Sequence, residues 1–110
     1  MQINFTARRF RAHEELKQHA VDTVTKLGKF YDGIVHADII LSYERASNSV
    51  KTAEINLHVH GAILTAKQKS GEYLKSIDAA ALKLEAQLEK YKMKLRGKDK
   101  KKVRELKAKV

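Results

Sequence analysis

Cysteine and proline are both absent from this 110-residue chain. Without cysteine there is no disulfide framework, no thiol nucleophile and no cysteine-ligated zinc site, which favours a reducing, intracellular compartment. The longest apolar runs, such as Ile39–Leu41, are far too short to cross a bilayer, and Met1–Phe5 lacks the charged start and apolar core of a secretory signal. The absence of proline fits a compact domain without a proline-rich linker. We therefore expect one soluble domain in the cytoplasm, with no membrane partner.

Signatures of catalysis are absent as well. The sequence has no nucleophile elbow, no glycine-rich phosphate loop and no pair of carboxylates spaced for hydrolysis. We therefore predict that the protein is not an enzyme and uses no cofactor. The alternative is a metal-dependent hydrolase built on His36, His58 and His60. His58 and His60 lie two positions apart on one face of a predicted strand, and we interpret them as solvent-facing histidines without a metal.

The positive charge of the chain is concentrated at one end. The formal net charge is +10, and residues 90–110 contain eleven Lys or Arg against only Asp99 and Glu105. Residues 1–89 are nearly neutral, with twelve basic and eleven acidic side chains. A balanced body with a basic end is suited to a polyanion, of which nucleic acid is the commonest. The alternative is a solvated lysine tail that keeps the protein soluble.

Two periodicities divide the sequence into strands and helices. Alternation of apolar and polar residues predicts strands over 2–8, 34–44, 51–60 and 62–68, with a polar loop at 45–49 and a tight turn at Gly61. In the second strand we expect the following residues to face inward: Val35, Ala37, Ile39, Leu41 and Tyr43. In the third strand the expected inward residues are Ala53, Ile55, Leu57 and Val59. Helical spacing predicts one helix over about 12–31 and a second from about Glu72, capped by Ser70, to Leu95 or Arg96.

The predicted order of elements is β-α-β-β-β-α. It indicates an α+β fold in which a four-stranded sheet carries both helices on one face. The same core order, α-β-β-β-α, is that of double-stranded RNA-binding domains, although a shared fold does not establish a shared function. We expect residues 1–96 to form this domain and residues 97–110 to form a basic C-terminal tail that is frayed or weakly helical.

The second helix has one apolar stripe between two flanks of opposite charge. The stripe comprises Leu74, Ile77, Ala81, Leu84, Leu88, Tyr91 and Leu95. One flank carries Asp78, Glu85 and Glu89, and the other side carries Lys75, Lys83, Lys90 and Lys94. Lys83, Lys90 and Lys94 are spaced i, i+7 and i+11, so their ammonium groups emerge along one line and suit a phosphate backbone. The alternative is an ordinary solvated helix flank.

Further basic residues lie on the first helix and before it. Lys26 and Lys29 lie off its apolar stripe, and Arg8, Arg9 and Arg11 cluster between the first strand and this helix. If the two helices pack side by side, we expect these groups and the lysine line to border one continuous groove. We interpret the neighbouring Phe30 and Tyr31 as packing residues rather than as base-stacking residues.

Several segments, in order along the chain, resemble the ribosome hibernation-promoting factors, also called ribosome-associated translation inhibitors of the σ54-modulation type. The matching segments are MQINFTAR at 1–8, KL at 26–27 with YDG at 31–33, IILSYE at 39–44, AEINL at 53–57, LTA at 64–66, KSID at 75–78 and KLEAQLEKYK at 83–92. The resemblance spans about residues 1–96. None of these segments is diagnostic alone, but their ordered combination is specific.

The resemblance implies a protein that binds the small ribosomal subunit in the channel used by messenger RNA and by the A-site and P-site transfer RNAs. It would inhibit translation by steric exclusion and protect inactive ribosomes in stationary phase or stress. The residues that the resemblance implies for ribosomal RNA binding are Arg8, Lys26, Lys29, Lys75, Lys83, Lys90, Lys92 and Lys94. The resemblance is to the short members, monomeric off the ribosome.

Two questions stay open at this point. Some short members promote ribosome dimers together with a separate modulation factor, whereas others keep ribosomes as inactive monomers. The basic segment after Arg96 is intermediate in length between these two kinds. A different hypothesis is a free-standing double-stranded RNA-binding or RNA-chaperone module, although the chain lacks the lysine-rich loop and helix start expected of that class.

Overall fold

A computed structural model describes the backbone of residues 1–44 and 47–108 and the side chains of residues 1–44 and 50–95. Its elements follow the predicted order, and their bounds are β1 Gln2–Ala7, α1 Glu14–Phe30, β2 Ile34–Glu44, β3 Ser47–Val59, β4 Ala62–Ser70 and α2 Tyr73–Ala108. The predicted α+β fold of order β-α-β-β-β-α is therefore confirmed. No helix among these residues combines the length and the apolar character needed to cross a membrane.

The four strands form one mixed sheet in the order β1-β2-β3-β4. β1 runs parallel to β2, as α1 provides the crossover that a parallel pair needs, while β2–β3 and β3–β4 are antiparallel. Gly61, with a φ of 79°, makes the tight turn between β3 and β4. In that left-handed region glycine avoids the steric cost that a Cβ atom would bring.

Both helices bury their apolar stripes against the same face of the sheet. From the helices, the core contains Ala20, Val24 and Leu27 of α1 together with Ile77, Ala80, Leu84 and Leu88 of α2. From the sheet, it contains Ala37, Ile39 and Leu41 of β2 with Ala53, Ile55, Leu57 and Val59 of β3. Alternation along these strands predicted that inward set because successive strand residues point to opposite faces.

The prediction that Val35 faces the core is wrong. The register between β2 and β3 shifts between Ile34 and His36. This irregularity adds a residue to the strand, so Ile34 is buried while the Val35 side chain is 65% exposed. Alternation resumes at Ala37, and Ala37, Ile39 and Leu41 are buried as predicted, whereas Tyr43 is only half-buried.

The start of α2 also differs from its prediction. The helix begins at Tyr73, and Leu74 is 47% exposed because Tyr73 packs against the core in its place. Ser70 Oγ accepts the backbone N–H of Glu72 at 3.2 Å, so its hydroxyl binds the residue before the helix rather than a helical N–H. The buried Ser76 hydroxyl donates to the Lys51 carbonyl of β3 at 2.8 Å and lies 2.6 Å from Ser70 Oγ.

Replacing Ser76 with alanine is expected to destabilise the fold by about 1–3 kcal/mol, because the Lys51 carbonyl loses the hydrogen bond from the buried Ser76 hydroxyl. Alanine differs from serine only by the hydroxyl oxygen, so the loss reports mainly the hydrogen bonds rather than a large cavity or overpacking. Urea denaturation of the variant and the parent measures the difference. Ala86→Gln, at an exposed position of the same helix, is the control and should change the free energy of unfolding by less than about 0.5 kcal/mol.

α2 does not end at Leu95 or Arg96 as predicted but continues to Ala108. Gly97 costs roughly 1 kcal/mol in a helix interior, but the residues that follow it are mostly Lys, Arg, Glu, Leu and Ala, which are strong helix formers. No proline interrupts them. The predicted 45–49 loop is shorter than expected, since β3 begins at Ser47; residues 45–46 and 109–110 lie outside the described residues.

Candidate nucleic-acid interface

The two helices pack side by side and run parallel. Near their N-terminal ends, His19 Nε2 of α1 lies 2.8 Å from Asp78 Oδ1 of α2. Near the C-terminal end of α1, the rings of Tyr31 and Tyr91 meet edge to face with centroids 5.6 Å apart. The order of these contacts is the same along both helices, which makes the pair parallel. The shared groove was predicted on the condition that the helices pack side by side, and this condition is met.

The flank of α2 that faces α1 is the acidic one. Asp78 makes the contact to His19, and Glu85 and Glu89 follow it at i+7 and i+11, which places them along the same line of the helix. On α1, Lys26 lies four residues before Phe30, which borders α2, so it belongs to the side of α1 that faces this acidic flank. The inter-helical groove therefore has mixed charge.

The lysine line borders β4 instead of α1. Lys83, Lys90 and Lys94 are all exposed, and they lie on the flank of α2 opposite the acidic one. On that side Gln87 Nε2 donates to the Thr65 carbonyl of β4 at 2.9 Å, and an open groove runs between Lys90, Lys94 and the Gly61 turn. We call Lys83, Lys90 and Lys94 the lysine ladder.

The other predicted site residues are distributed over the molecule. Lys29, exposed in the last turn of α1, lies at the same end of the domain as Lys90 and Lys94, because Tyr31 contacts Tyr91 there. Arg8 follows β1 at the opposite edge and the opposite end of the sheet, where its backbone N–H donates to the Leu41 carbonyl. Lys75 lies in the first turn of α2, 3.9 Å from Glu72.

The structure does not form one continuous groove from these groups. It separates them into a concentration of lysines around the C-terminal end of α1 and the middle of α2, and an arginine cluster at the far edge of the sheet. The expectation failed because sequence spacing relates the two flanks of a helix to each other, but it does not say which flank meets the neighbouring helix.

Lys92 makes contacts within the protein. Its side chain is partly buried, its Nζ donates to the Phe30 carbonyl at 3.4 Å, and the ammonium lies 4.8 Å from the centre of the Phe30 ring. A cation at the C-terminal end of α1 also interacts favourably with the helix dipole. Lys92 therefore joins the end of α1 to α2, whatever else it binds.

Replacing Lys92 with methionine is expected to lower the free energy of unfolding by about 1 kcal/mol, since the variant loses the contacts to the Phe30 carbonyl and ring. Lys94→Met is the matched control, because Lys94 is exposed and lies two residues further along the helix. It should change stability by less than about 0.5 kcal/mol. Chemical denaturation measures the free energy of unfolding of both variants. An equal loss of stability in the two would contradict a structural role for Lys92.

The interpretation of the two aromatic residues as packing residues agrees with the structure. Tyr31 packs against the core, where burial and the neighbouring Tyr91 raise its pKa and keep its hydroxyl neutral. Phe30 is at the edge, 38% exposed, with Lys92 over its ring.

Two exposed apolar side chains lie on the outer surface of α2 and were not predicted. Leu82 is 66% exposed and Met93 is 64% exposed. They are spaced i and i+11, and at about 100° per residue they lie between the acidic flank and the ladder. Their position outside the apolar stripe was the sequence signal that could have found them.

The histidines of the metal-hydrolase alternative come together only in part. His36 of β2 lies directly opposite His58 of β3, and their rings stack with centroids 3.7 Å apart. His60 is exposed next to the Gly61 turn, where its carbonyl accepts the Tyr91 hydroxyl at 2.6 Å. The three histidines of that alternative do not form one cluster, but Asp38 joins His36 and His58.

The sequence of this chain matches a known protein family. The chain matches the family described as Sigma 54 modulation protein / S30EA ribosomal protein over residues 3–96. A ribosome hibernation promoting factor of Klebsiella oxytoca is 30% identical over 96 residues, covering 87% of this chain and 98% of that relative. One from Azotobacter vinelandii is 28% identical over 94 residues, covering 86% of this chain and 85% of that relative.

Solved structures share the fold. A ribosomal subunit interface protein from Coxiella burnetii superposes with a TM-score of 0.77 at 25% identity, covering 84% of this chain and 99% of that one. The N-terminal domain of Protein Y from Thermus thermophilus superposes with a TM-score of 0.72 at 21% identity, covering 83% of this chain and 99% of that domain. The second likeness concerns the fold alone.

Proposed function

Because this chain belongs to the Sigma 54 modulation protein / S30EA ribosomal protein family, we propose that it is a ribosome hibernation factor that binds the small ribosomal subunit. It occupies the channel of messenger RNA and of the A-site and P-site transfer RNAs, and it inhibits translation in stationary phase or stress. The observation that carries this proposal is the lysine ladder on α2, exposed beside a groove within the part of the chain that matches the family.

The proposed mechanism is occupancy without catalysis. Lysine ammonium groups are flexible point charges that suit phosphate oxygens and carry no base sequence information. The ladder holds three of them in line on a rigid helix, so little ordering is required when they meet a folded RNA surface. The exposed Leu82 and Met93, on the outer surface of the same helix, supply apolar contact area that the phosphate contacts alone do not provide.

The proposed partners follow from the same surface. Lys29, Lys90 and Lys94 concentrate positive charge at one end of the domain, and the sequence from Arg96 onward is also rich in Lys and Arg. Ribosomal RNA is the polyanion we assign to this end, with ribosomal proteins of the small subunit lining the same channel. In this proposal the protein is cytoplasmic and is a monomer when it is not bound to the ribosome. It performs its function in complex with the inactive ribosome.

Sucrose-gradient sedimentation of purified ribosomes with the full chain tests the proposal. We expect the protein to comigrate with small subunits and whole ribosomes at moderate salt, and to compete with messenger and transfer RNA for the subunit. When the separate modulation factor is added, a shift of ribosomes toward dimers would assign the dimer-promoting role, and a monomer peak that stays unshifted in its presence would assign the role of holding ribosomes apart. Protein that stays at the top of the gradient would reject ribosome binding.

One second candidate function is supported by a specific observation. A parallel helix pair on one face of a sheet, in the order α-β-β-β-α, is also the architecture of double-stranded RNA-binding domains. A free-standing duplex-binding or RNA-chaperone module would bind a naked 20-base-pair RNA duplex about as tightly as intact small subunits. Preference for the subunit in a direct competition would exclude it.

A further inference from the structure

A cluster of two imidazoles and a carboxylate lies on the face of the sheet that is turned away from the helices. His36 and His58 form a cross-strand pair between β2 and β3, and Asp38 is two residues along β2 on the same face. His58 Nε2 lies 3.1 Å and His36 Nε2 4.0 Å from Asp38 Oδ2. One ligand atom of each residue lies within 4.8 Å of the other two.

A fourth side chain holds the carboxylate in place. Asn4 of β1, opposite Asp38 in the parallel register, donates from Nδ2 to Asp38 Oδ1 at 3.0 Å. This leaves Oδ2 directed at the two imidazoles. Outer partners of this kind orient the ligands of metal sites.

We propose that His36, Asp38 and His58 bind one divalent metal ion of the zinc class. Imidazole nitrogens select such ions over calcium and magnesium, which prefer all-oxygen sites. Two nitrogens and one carboxylate oxygen are a common three-ligand set for zinc, and the fourth position is left to water. The side chains are about one third exposed, so the ion reaches them without opening of the fold.

The present distances require only a local adjustment. Zinc bonds of about 2.0–2.2 Å place neighbouring ligand atoms roughly 3.3 Å apart, and the two imidazole–carboxylate distances lie on either side of that value. The two rings are stacked, 19° from parallel, so each must tilt toward the other for both Nε2 atoms to converge on one ion. The ion replaces the hydrogen that joins His58 Nε2 to Asp38 Oδ2.

A metal ion bound at this cluster connects neighbouring strands in the middle of the sheet. The ligands belong to β2 and β3, and Asn4 ties the site to β1, so a bound ion joins three strands. The ion binds the folded chain and therefore stabilises it. No residue of this cluster belongs to the lysine ladder, which is carried by α2 on the opposite face, so the inference is independent of the proposed function.

Isothermal titration of the metal-free full chain with zinc chloride tests the site. We expect one ion per chain and an unfolding midpoint raised by on the order of 10 °C when zinc is at 100 times its dissociation constant. Asp38→Asn and His58→Gln should each weaken binding about 100-fold or more, since even outer partners are worth 10–100-fold. Asn4→Ala, which keeps all three ligands, should weaken it about 10-fold.

His60→Gln is the matched control, because His60 lies two residues from His58 but outside the cluster. It should bind zinc as the parent chain does. If it weakens binding as much as His58→Gln, or if Asp38→Asn binds like the parent, the ion is held by surface histidines at large and the inference is overturned. Absence of saturable 1:1 binding would overturn it as well. Circular dichroism of each variant confirms that the comparison is between folded chains.

Discussion

The double substitution Lys83→Glu with Lys90→Glu is expected to abolish binding to the small ribosomal subunit while leaving the fold intact. Both side chains are exposed, and neither forms an ion pair with any of the side chains that the structure describes. Reversing their charge turns two attractions to phosphate into two repulsions at adjacent steps of the ladder. We expect at least about a 100-fold loss of affinity, measured by cosedimentation with purified small subunits.

Net charge must be separated from position in this experiment. Lys17→Glu with Lys67→Glu also lowers the formal net charge from +10 to +6, because each substitution removes two units. Lys17 is an exposed residue near the start of α1, and Lys67 is exposed on β4 on the outer face of the sheet. This control should retain binding within about threefold. Equal losses in both variants would make the interaction a matter of overall charge, and unchanged cosedimentation of the Lys83/Lys90 variant would remove the ladder from the interface.

The ladder also shows what periodicity can and cannot predict. Asp78, Glu85 and Glu89 share the spacing i, i+7, i+11 with Lys83, Lys90 and Lys94, so the sequence separates the two flanks by sign. Which flank meets α1 depends on how α2 lies across β3 and β4. That arrangement depends on tertiary packing, which the sequence pattern does not specify. In the structure the acidic flank faces α1, and the lysine ladder borders β4.

The sheet illustrates the same limit on a smaller scale. Period-two alternation predicted the inward residues of β3 throughout, because every second side chain of a regular strand points to the core. It misplaced Val35, since one register shift moves a residue to the other face without changing the pattern on either side. Alternation alone likewise placed His36 and His58 on the outer face, but it did not place them opposite each other.

Binding to the small subunit is expected to fall steeply with salt. If six to ten phosphates are engaged, affinity should drop about 10³–10⁵-fold between 50 and 200 mM monovalent salt at constant magnesium. The reason is the release of condensed counterions from the phosphates that lysines neutralise. A folded ribosomal RNA site that already holds magnesium should give a shallower slope than the duplex value. Equilibrium binding at four or more salt concentrations measures it.

The slope of log affinity against log salt shows whether a single lysine contacts a phosphate, which the affinity alone does not show. Removing one phosphate contact with Lys90→Gln should lower the slope of log affinity against log salt by about 0.7–0.9. Lys17→Gln, on α1 away from the ladder, should leave the slope unchanged. Glutamine keeps most of the side-chain length and adds no negative charge, so repulsion does not enter. A parent slope near zero would show that contacts other than phosphate neutralisation dominate the affinity. An unchanged slope in Lys90→Gln would show that Lys90 contacts no phosphate, even if the protein binds the ribosome.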